Sequence, residues 1–275
     1  MCIPGCKYQE PSRTPEVVSG TKLPCTLNLY AFVVIVGGPG NYSSKDPRHD
    51  KAWDNYITTA ATRHKDERLK PLDDECLHFF VYREAYERRW NDDVKNGHLD
   101  HRLEHVKSIK SRGASSYVDF IEQKARARKC NLVWFDSPED LFKLLRGLSR
   151  QISRVWFFGH AKSDRLFLRW ENEGKAVVQI TTSDVVDKAD LRARFVTNDK
   201  DRLHRFYGCN TARDIAGWAG TWSKTFNVYS VGASETIDFK GSGKMTMTTP
   251  AGQLRFFSPL GMYSVIPYGP PGDLP

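Results

Sequence analysis

The sequence predicts a mixed α/β protein with a mostly parallel central sheet. Short apolar runs rich in β-branched and aromatic residues alternate with segments of helical spacing, which is typical of strand–helix–strand units. The first run, Leu27–Val36, ends in a glycine-rich turn, and two later runs, Val155–Phe158 and His204–Tyr207, each end in Gly followed by a reactive side chain. Parallel strands end at a common sheet edge, so these two runs would deliver His160 and Cys209 to one edge.

The alternation is clearest after residue 130. Asn131–Asp136 is a short apolar run, Ser137 is suited to cap a helix with Pro138 in its first position, and leucines then repeat at helical spacing up to residue 148. This is a strand, helix, strand crossover. The later elements are predicted as a hairpin (165–170 and 175–181), a helix (184–194) capped by Ser183 or Thr182, a helix (212–226) and strands at 228–233, 254–257 and 262–266.

Residues 43–129 have a different character from the rest of the chain. They are charged and helix-favouring with few apolar residues, so we interpret them as a helical insertion after the first strand. Residues 1–26 are predicted to be an extended N-terminal arm, 27–267 a single α/β domain that contains the insertion, and 268–275 a C-terminal tail.

Composition limits the class of protein. The formal charge is +8, from 41 Lys and Arg against 33 Asp and Glu; it indicates either a solvated basic surface or attraction to nucleic acid or an acidic partner. Six cysteines are scattered without CxxC pairs, which favours a reducing compartment. The chain starts without the features of a Sec signal peptide and has no apolar run of membrane-spanning length. We therefore expect a cytoplasmic protein with no membrane partner; export by a specialised secretion system is compatible with this.

Two clusters of histidines and carboxylates lie within the predicted insertion. His98, His101 and His105 are spaced i, i+3 and i+7, so one helix face would present all three beside Asp100 and Glu104. A second cluster contains Asp46, His49 and Asp50. An exposed charged helix without a motif such as HExxH is usually only solvated, so we predict no metal and no cofactor. A metal-dependent nuclease or nucleic-acid-binding toxin remains the alternative that uses these residues.

The two strand ends resemble those of the caspase-like (clan CD) cysteine peptidases. The resemblance rests on Gly159-His160, on Gly208-Cys209 and on a separation of 49 residues, with the His about fifty residues before the Cys as in caspases. Cys209-Asn-Thr-Ala, followed by a helix and a strand, is most similar to CHAT-domain proteases. The resemblance covers about residues 130–235 and implies a caspase-hemoglobinase-like three-layer α/β/α sandwich.

The residues also indicate a mechanism. A thiol needs a neighbouring base, so His160 would activate Cys209 and later protonate the leaving amine. The resemblance implies that the backbone amides of Ala161 and Cys209 form the oxyanion hole. It departs from the family at Ala161, where Gly is usual, and at Gly208, since the caspase Gln-Ala-Cys block is absent.

The substrate pocket is indicated less directly. Relatives that cut after Arg or Lys use a carboxylate in the primary pocket, so Asp164, Glu235 and Asp238, which follow strands near the edge, are its candidates. The sequence thus predicts a cysteine endopeptidase acting on a protein substrate, as a bacterial effector, toxin or immune-type protease. Besides the nuclease, a catalytically inactive caspase-like interaction module stays open. Nothing in the sequence indicates an oligomeric state.

Overall fold

A nine-stranded sheet forms the centre of the fold. The computed structural model describes residues 15–18, 29–42, 52–63, 70–98, 113–128, 131–171, 177–240, 244–247 and 252–267. Its strands are β1 (Glu16–Val17), β2 (Tyr30–Val36), β3 (Gly38–Pro39), β4 (Glu75–Tyr82), β5 (Asn131–Phe135), β6 (Gln151–Phe158), β7 (Ala161–Lys162), β8 (Arg165–Trp170), β9 (Val178–Thr181), β10 (His204–Tyr207), β11 (Ser230–Ala233), β12 (Ile237–Lys240), β13 (Lys244–Met247), β14 (Gln253–Ser258) and β15 (Gly261–Pro267). The helices are α1 (Asn55–Arg63), α2 (Arg83–Lys95), α3 (Tyr117–Arg128), α4 (Pro138–Gly147), α5 (Thr182–Asp187), a 3-10 helix (Ala189–Arg194) and α6 (Trp218–Phe226).

The strand order of the main sheet is β1-β5-β4-β2-β6-β10-β11-β14-β15. The six strands from β5 to β11 in this order are parallel, and β1, β14 and β15 pair antiparallel at the two sides. The predicted mixed α/β class with a mostly parallel sheet is therefore confirmed. Strands in its middle are buried on both faces, which is why β2 and β6 are nearly continuous apolar runs.

Helices cover both faces of the sheet. On one face, Trp134 of β5 donates to Glu122 of α3 and contacts Tyr86 of α2. On the other face, Ile35, Phe157 and Phe206 line a small apolar space together with side chains of α4 and α6. Since side chains alternate along a strand, each strand supplies both layers. The layers are therefore helix, sheet and helix.

The predicted helical insertion at 43–129 needs a correction. It contributes α1, α2 and α3, but it also contains β4, which lies between β2 and β5 in the main sheet. The run Glu75–Tyr82 is almost wholly buried. The sequence predicts a helix for these apolar residues because the charged stretch Arg83–Lys95 follows without a break. A short apolar run has no periodicity that separates a buried strand from a buried helix.

Other boundaries differ by smaller amounts. Ser137 caps α4 by accepting from the amide of Asp140 at 3.1 Å, and Pro138 is the first helical residue, as predicted. The helix expected over 212–226 begins only at Trp218. The helix expected over 184–194 is capped by Thr181, rather than by Ser183 or Thr182, and divides into α5 and the 3-10 helix.

Two small sheets lie beside the main one. β3, β7, β8 and β9 form the first, and β12 pairs with β13 in the second. Residues 15–18 of the predicted arm include β1, which pairs with β5. Cys76 is disulfide-bonded, a departure from the reduced cysteines that we expected, whereas Cys209 is free. Within the described ranges, no helix combines the length and apolar character needed to span a bilayer.

Candidate active site

The strands that precede His160 and Cys209 are neighbours in the sheet. β6 and β10 are parallel, and their register pairs Phe157 with Phe206 and Phe158 with Tyr207. Each of these strands is followed by a glycine, and the Gly159 amide donates to the carbonyl oxygen of Tyr207 at 3.4 Å. Both reactive residues therefore leave the sheet at the same carboxyl edge, from adjacent strands and at the same level.

Small residues allow these two strand ends to approach closely. A Cβ atom at position 208 would lie 2.6 Å from the Cβ of Ala161 and 3.1 Å from the carbonyl oxygen of Gly159. Any larger residue at 208 would push the two segments apart. Gly208, which departs from the Ala found in the caspase block, thus has a steric reason here. Ala161 is not among the residues with positive φ, so it needs no glycine.

The segment after Cys209 turns sharply. Asn210 has φ of 60°, a left-handed conformation that Asn adopts more readily than most residues. Thr211 is fully buried, and its hydroxyl donates to the carbonyl oxygen of Phe206 at 2.9 Å and accepts from the amide of Ala233 at 3.2 Å. The Ala212 amide donates to Ala233 at 2.8 Å. The Cys-Asn-Thr-Ala sequence is thus a turn anchored to β10 and β11.

Two aromatic side chains contact the ring of His160. Its ring centre lies 5.3 Å from that of Tyr56 of α1 and 5.4 Å from that of Trp170 of β8. Tyr56 also contacts Phe239 of β12, with ring centres 4.7 Å apart. The imidazole is thereby placed among packed rings. Sequence reasoning missed Tyr56 and Trp170, because neither belongs to a motif; Tyr56 is also far from His160 along the chain, and Trp170 lies on a different strand, β8.

The thiol of Cys209 lies next to β12. It donates to the carbonyl oxygen of Ile237 at 3.8 Å. Burial raises the pKa of the Cys209 thiol; the bond to Ile237 opposes this in part, and the negative charge of Asp238 adds to the increase. The resting cysteine is therefore a neutral thiol, and a reaction at its sulfur requires a base that takes the proton.

The structure separates the three carboxylates predicted to bind substrate. Asp238 acts electrostatically on Cys209, and the carbonyl oxygen of Glu235 accepts from the amide of Asn210 at 3.0 Å, so both belong to the surroundings of the thiol. Asp164 accepts from Arg165 Nε at 2.8 Å, and this hydrogen bond lowers its pKa. Its charge is already matched by a neighbour, which disfavours Asp164 as the group that receives a basic substrate side chain.

The residues of the alternative metal site are only partly described. Asp46, His49, Asp50, Asp100, His101, Glu104 and His105 lie outside the described residues. His98 follows α2 and stands next to Asp92 and Asp93, which belong to neither of the two clusters predicted from the sequence.

Comparisons with known proteins identify no family. No family model matches the sequence, and no curated protein matches it. Among solved structures, the chain is similar to the crystal structure of the C-terminal domain of Coenzyme A biosynthesis bifunctional protein CoaBC, with 12% identity, a TM-score of 0.36 and 90% of each chain covered. A similarity of this size supports no argument about function.

Proposed function

We propose that the chain is a cysteine endopeptidase with a caspase-like fold, in which Cys209 is the nucleophile and His160 the general base. The observation that carries the proposal is the register of β6 and β10, which end side by side in Gly159-His160 and Gly208-Cys209. A histidine and a free cysteine at adjacent ends of parallel strands provide base and nucleophile within one site.

The neutral thiol favours a general-base mechanism over a preformed ion pair. Because burial raises the pKa of Cys209, His160 would take the thiol proton as the sulfur attacks the substrate carbonyl carbon. The tetrahedral oxyanion would then accept hydrogen bonds from the backbone amides of Cys209 and Ala161. Each such donor stabilises the transition state by about 3 kcal/mol in other acyl-transfer enzymes. His160 would give its proton to the leaving amine, and water would hydrolyse the thioester.

For the substrate we propose a protein chain with a basic residue before the cleaved bond. Asp238 supports this preference, since it lies in the electrostatic environment of Cys209 and is partly buried. Glu235 is the second candidate, because its backbone is bonded to the residue after the nucleophile. The biological role proposed is that of a bacterial effector, toxin or immune-type protease in the cytoplasm.

The test uses peptidyl acyloxymethyl ketones with Arg, Asp or Leu at the first position. We expect the Arg probe to label the native protein once, at Cys209, as found by intact mass and peptide mapping. His160→Gln should slow labelling at least a hundredfold, while Cys209→Ala should abolish it. Unlabelled but folded native protein would contradict the peptidase proposal and favour the inactive interaction module.

The nuclease alternative has its own observation, the excess of basic residues that gives the chain a charge of +8. It is tested by incubating the Cys209→Ala variant with DNA and RNA in the presence and absence of a chelator. Chelator-sensitive degradation that survives the substitution would support a nuclease and remove the reason to assign the reaction to Cys209.

A further inference from the structure

Three potential metal ligands converge at the C-terminal end of α2. Asp92, Asp93 and His98 each direct a ligand atom to one place, and these atoms all lie within 4.8 Å of one another. Two are carboxylates and one is an imidazole, a set that suits Zn²⁺ and Mn²⁺. They include neither Cys209 nor His160, so the proposed reaction does not use them.

A buried carboxylate oxygen provides the second observation. The Asp93 side chain is only 4% exposed. Its Oδ2 accepts from Arg89 Nε at 2.8 Å and from the Tyr117 hydroxyl at 2.7 Å, but its Oδ1 is buried and has no hydrogen-bond donor among the residues that the structure describes. A buried anionic oxygen that lacks a donor is costly, and its presence calls for an ion or a water at that point.

The distance between two of the ligands fits a shared ion better than a hydrogen bond. Asp93 Oδ1 lies 3.6 Å from Nδ1 of His98, beyond hydrogen-bonding range. Two ligands of a tetrahedral Zn²⁺, bound at 2.0–2.1 Å, are about 3.4 Å apart. Asp93 and His98 are therefore already close to the separation of two zinc ligands, and Asp92, whose ligand atom lies within 4.8 Å of both, would move inward to complete the set, with water in the fourth position.

The surroundings orient these ligands. Asp92 Oδ2 accepts from the amide of Tyr42 at 2.8 Å, and its Oδ1 accepts from Asn96 Nδ2 at 2.9 Å. The ring of His98 packs on that of Tyr42 with centres 4.0 Å apart. Ligating carboxylates and imidazoles in metal sites are characteristically held by such outer contacts. Arg89 offsets part of the negative charge, which favours moderate affinity.

We propose that Asp92, Asp93 and His98 form a binding site for a divalent transition metal, with Zn²⁺ preferred over Mn²⁺. The metal would fix the end of α2, where Asp92 already accepts from the amide of Tyr42 at 2.8 Å in the segment after β3. That segment follows β3, which pairs with β8 at Trp170, the residue that contacts His160. The site is thus structural, and its place in the fold connects it to the candidate active site without making it part of the reaction.

The test is a Zn²⁺ titration by calorimetry, done on metal-free Cys209→Ala protein so that the reactive thiol does not bind the metal. We expect one site with micromolar affinity. His98→Gln and Asp93→Asn should each weaken that site at least tenfold. The matched control is Asp190→Asn, since Asp190 is a surface carboxylate paired with Arg146. The Zn²⁺ affinity of this variant should equal that of the unsubstituted site.

Asp93 is buried, so its substitution can unfold the protein. Circular dichroism therefore checks the fold of each variant, and Asp92→Asn provides a second ligand substitution. Co²⁺ gives a second readout: we expect d–d absorption of four-coordinate intensity without a thiolate charge-transfer band, and its loss in His98→Gln. Unchanged Zn²⁺ affinity in both His98→Gln and Asp92→Asn, or no binding by the native site at 100-fold metal excess, would overturn the proposal.

Discussion

The thiol of Cys209 donates to the backbone carbonyl of Ile237, at 3.8 Å. The candidate nucleophile is therefore in contact with β12, a strand that begins 28 residues after it in the sequence. The hairpin of β12 and β13 also places Phe239 against Tyr56, which contacts His160. One hairpin thus touches the surroundings of both proposed catalytic residues, and its charges and rings provide the most direct tests of the site.

The first prediction concerns Asp238 and the pKa of the thiol. Asp238→Asn removes a negative charge that raises the pKa of Cys209, so the variant should reach its thiolate form at lower pH. We expect the pH profile of iodoacetamide alkylation at Cys209 to move to lower pH, measured by mass spectrometry. Asp164→Asn is the matched control and should leave the profile in place, because Arg165 pairs with that carboxylate. Equal alkylation profiles for the native protein, Asp238→Asn and Asp164→Asn would show that the charge of Asp238 does not act on the Cys209 thiol.

The same variant tests substrate preference. If Asp238 receives the basic side chain, Asp238→Asn should slow labelling by an Arg ketone probe about tenfold or more, since it removes an ionic hydrogen-bond partner. The rate with a Leu probe should not fall. Equal slowing of both probes would show that Asp238 affects the thiol alone.

The second prediction concerns the rings around His160. Trp170→Ala and Tyr56→Ala should each slow labelling of Cys209 by an Arg ketone probe about 10- to 100-fold, because a misplaced base loses the aligned geometry. Tyr56→Phe and Trp170→Phe keep a ring in place and should retain most of the rate. The measurement is a time course at several probe concentrations; if the Ala and Phe variants react alike, the rings do not position His160.

The third prediction concerns stability at the opposite edge of the sheet. Glu75 is 3% exposed and accepts from Ser153 at 2.6 Å, from Arg154 Nε at 2.9 Å and from Arg202 at 3.3 Å. Glu75→Gln leaves the Arg154 charge buried without its counter-ion, so we expect a loss of about 3–5 kcal/mol in the free energy of unfolding. Urea denaturation measures it.

Asp74→Asn is the control for that experiment. Asp74 pairs with Arg202 but is itself 35% exposed, so its substitution should cost about 1 kcal/mol or less. A loss as large as that of Glu75→Gln would mean that burial does not set the strength of the network.

The fourth prediction concerns acid denaturation. His204 is fully buried, and burial, with a smaller contribution from the Arg154 charge, lowers its pKa from 6.5 to about 3. Below pH 6.5 His204 is therefore protonated in the unfolded chain, whereas in the folded chain it stays neutral down to about pH 3. The stability due to neutral His204 is complete above pH 6.5 and decreases as the pH falls through this window.

Between pH 6.5 and pH 5 this one residue should cost about 2 kcal/mol of unfolding free energy. His204→Gln keeps an acceptor for the indole of Trp222, which donates to His204 Nδ1 at 3.2 Å, but it does not titrate. We therefore expect a shallower decrease of stability with pH in the variant, by urea denaturation at several pH values. His78, whose pKa burial lowers to about 4, should account for part of the remaining slope. An unaltered slope in His204→Gln would show that His204 takes up its proton at the same pH in the folded and the unfolded chain, and would contradict the lowered pKa.

Local sequence was sufficient for much of the sheet. β8 and β10 begin and end where their apolar runs indicate, and Ser137 and Pro138 start α4 as their capping and backbone preferences require. Each of these features depends on neighbours in the chain. β4 was missed for the complementary reason, since a short apolar run becomes a strand here only because β2 and β5 offer partners on both sides.

The sequence by itself determined that His160 and Cys209 follow buried strands, because alternation, glycine and β-branched residues act locally. Only the tertiary structure decided that β6 and β10 are neighbours in register, that Tyr56 and Trp170 contact the imidazole, and that Asp238 acts on the thiol. Packing and electrostatics join residues distant along the chain, and both act through distances that the fold alone sets.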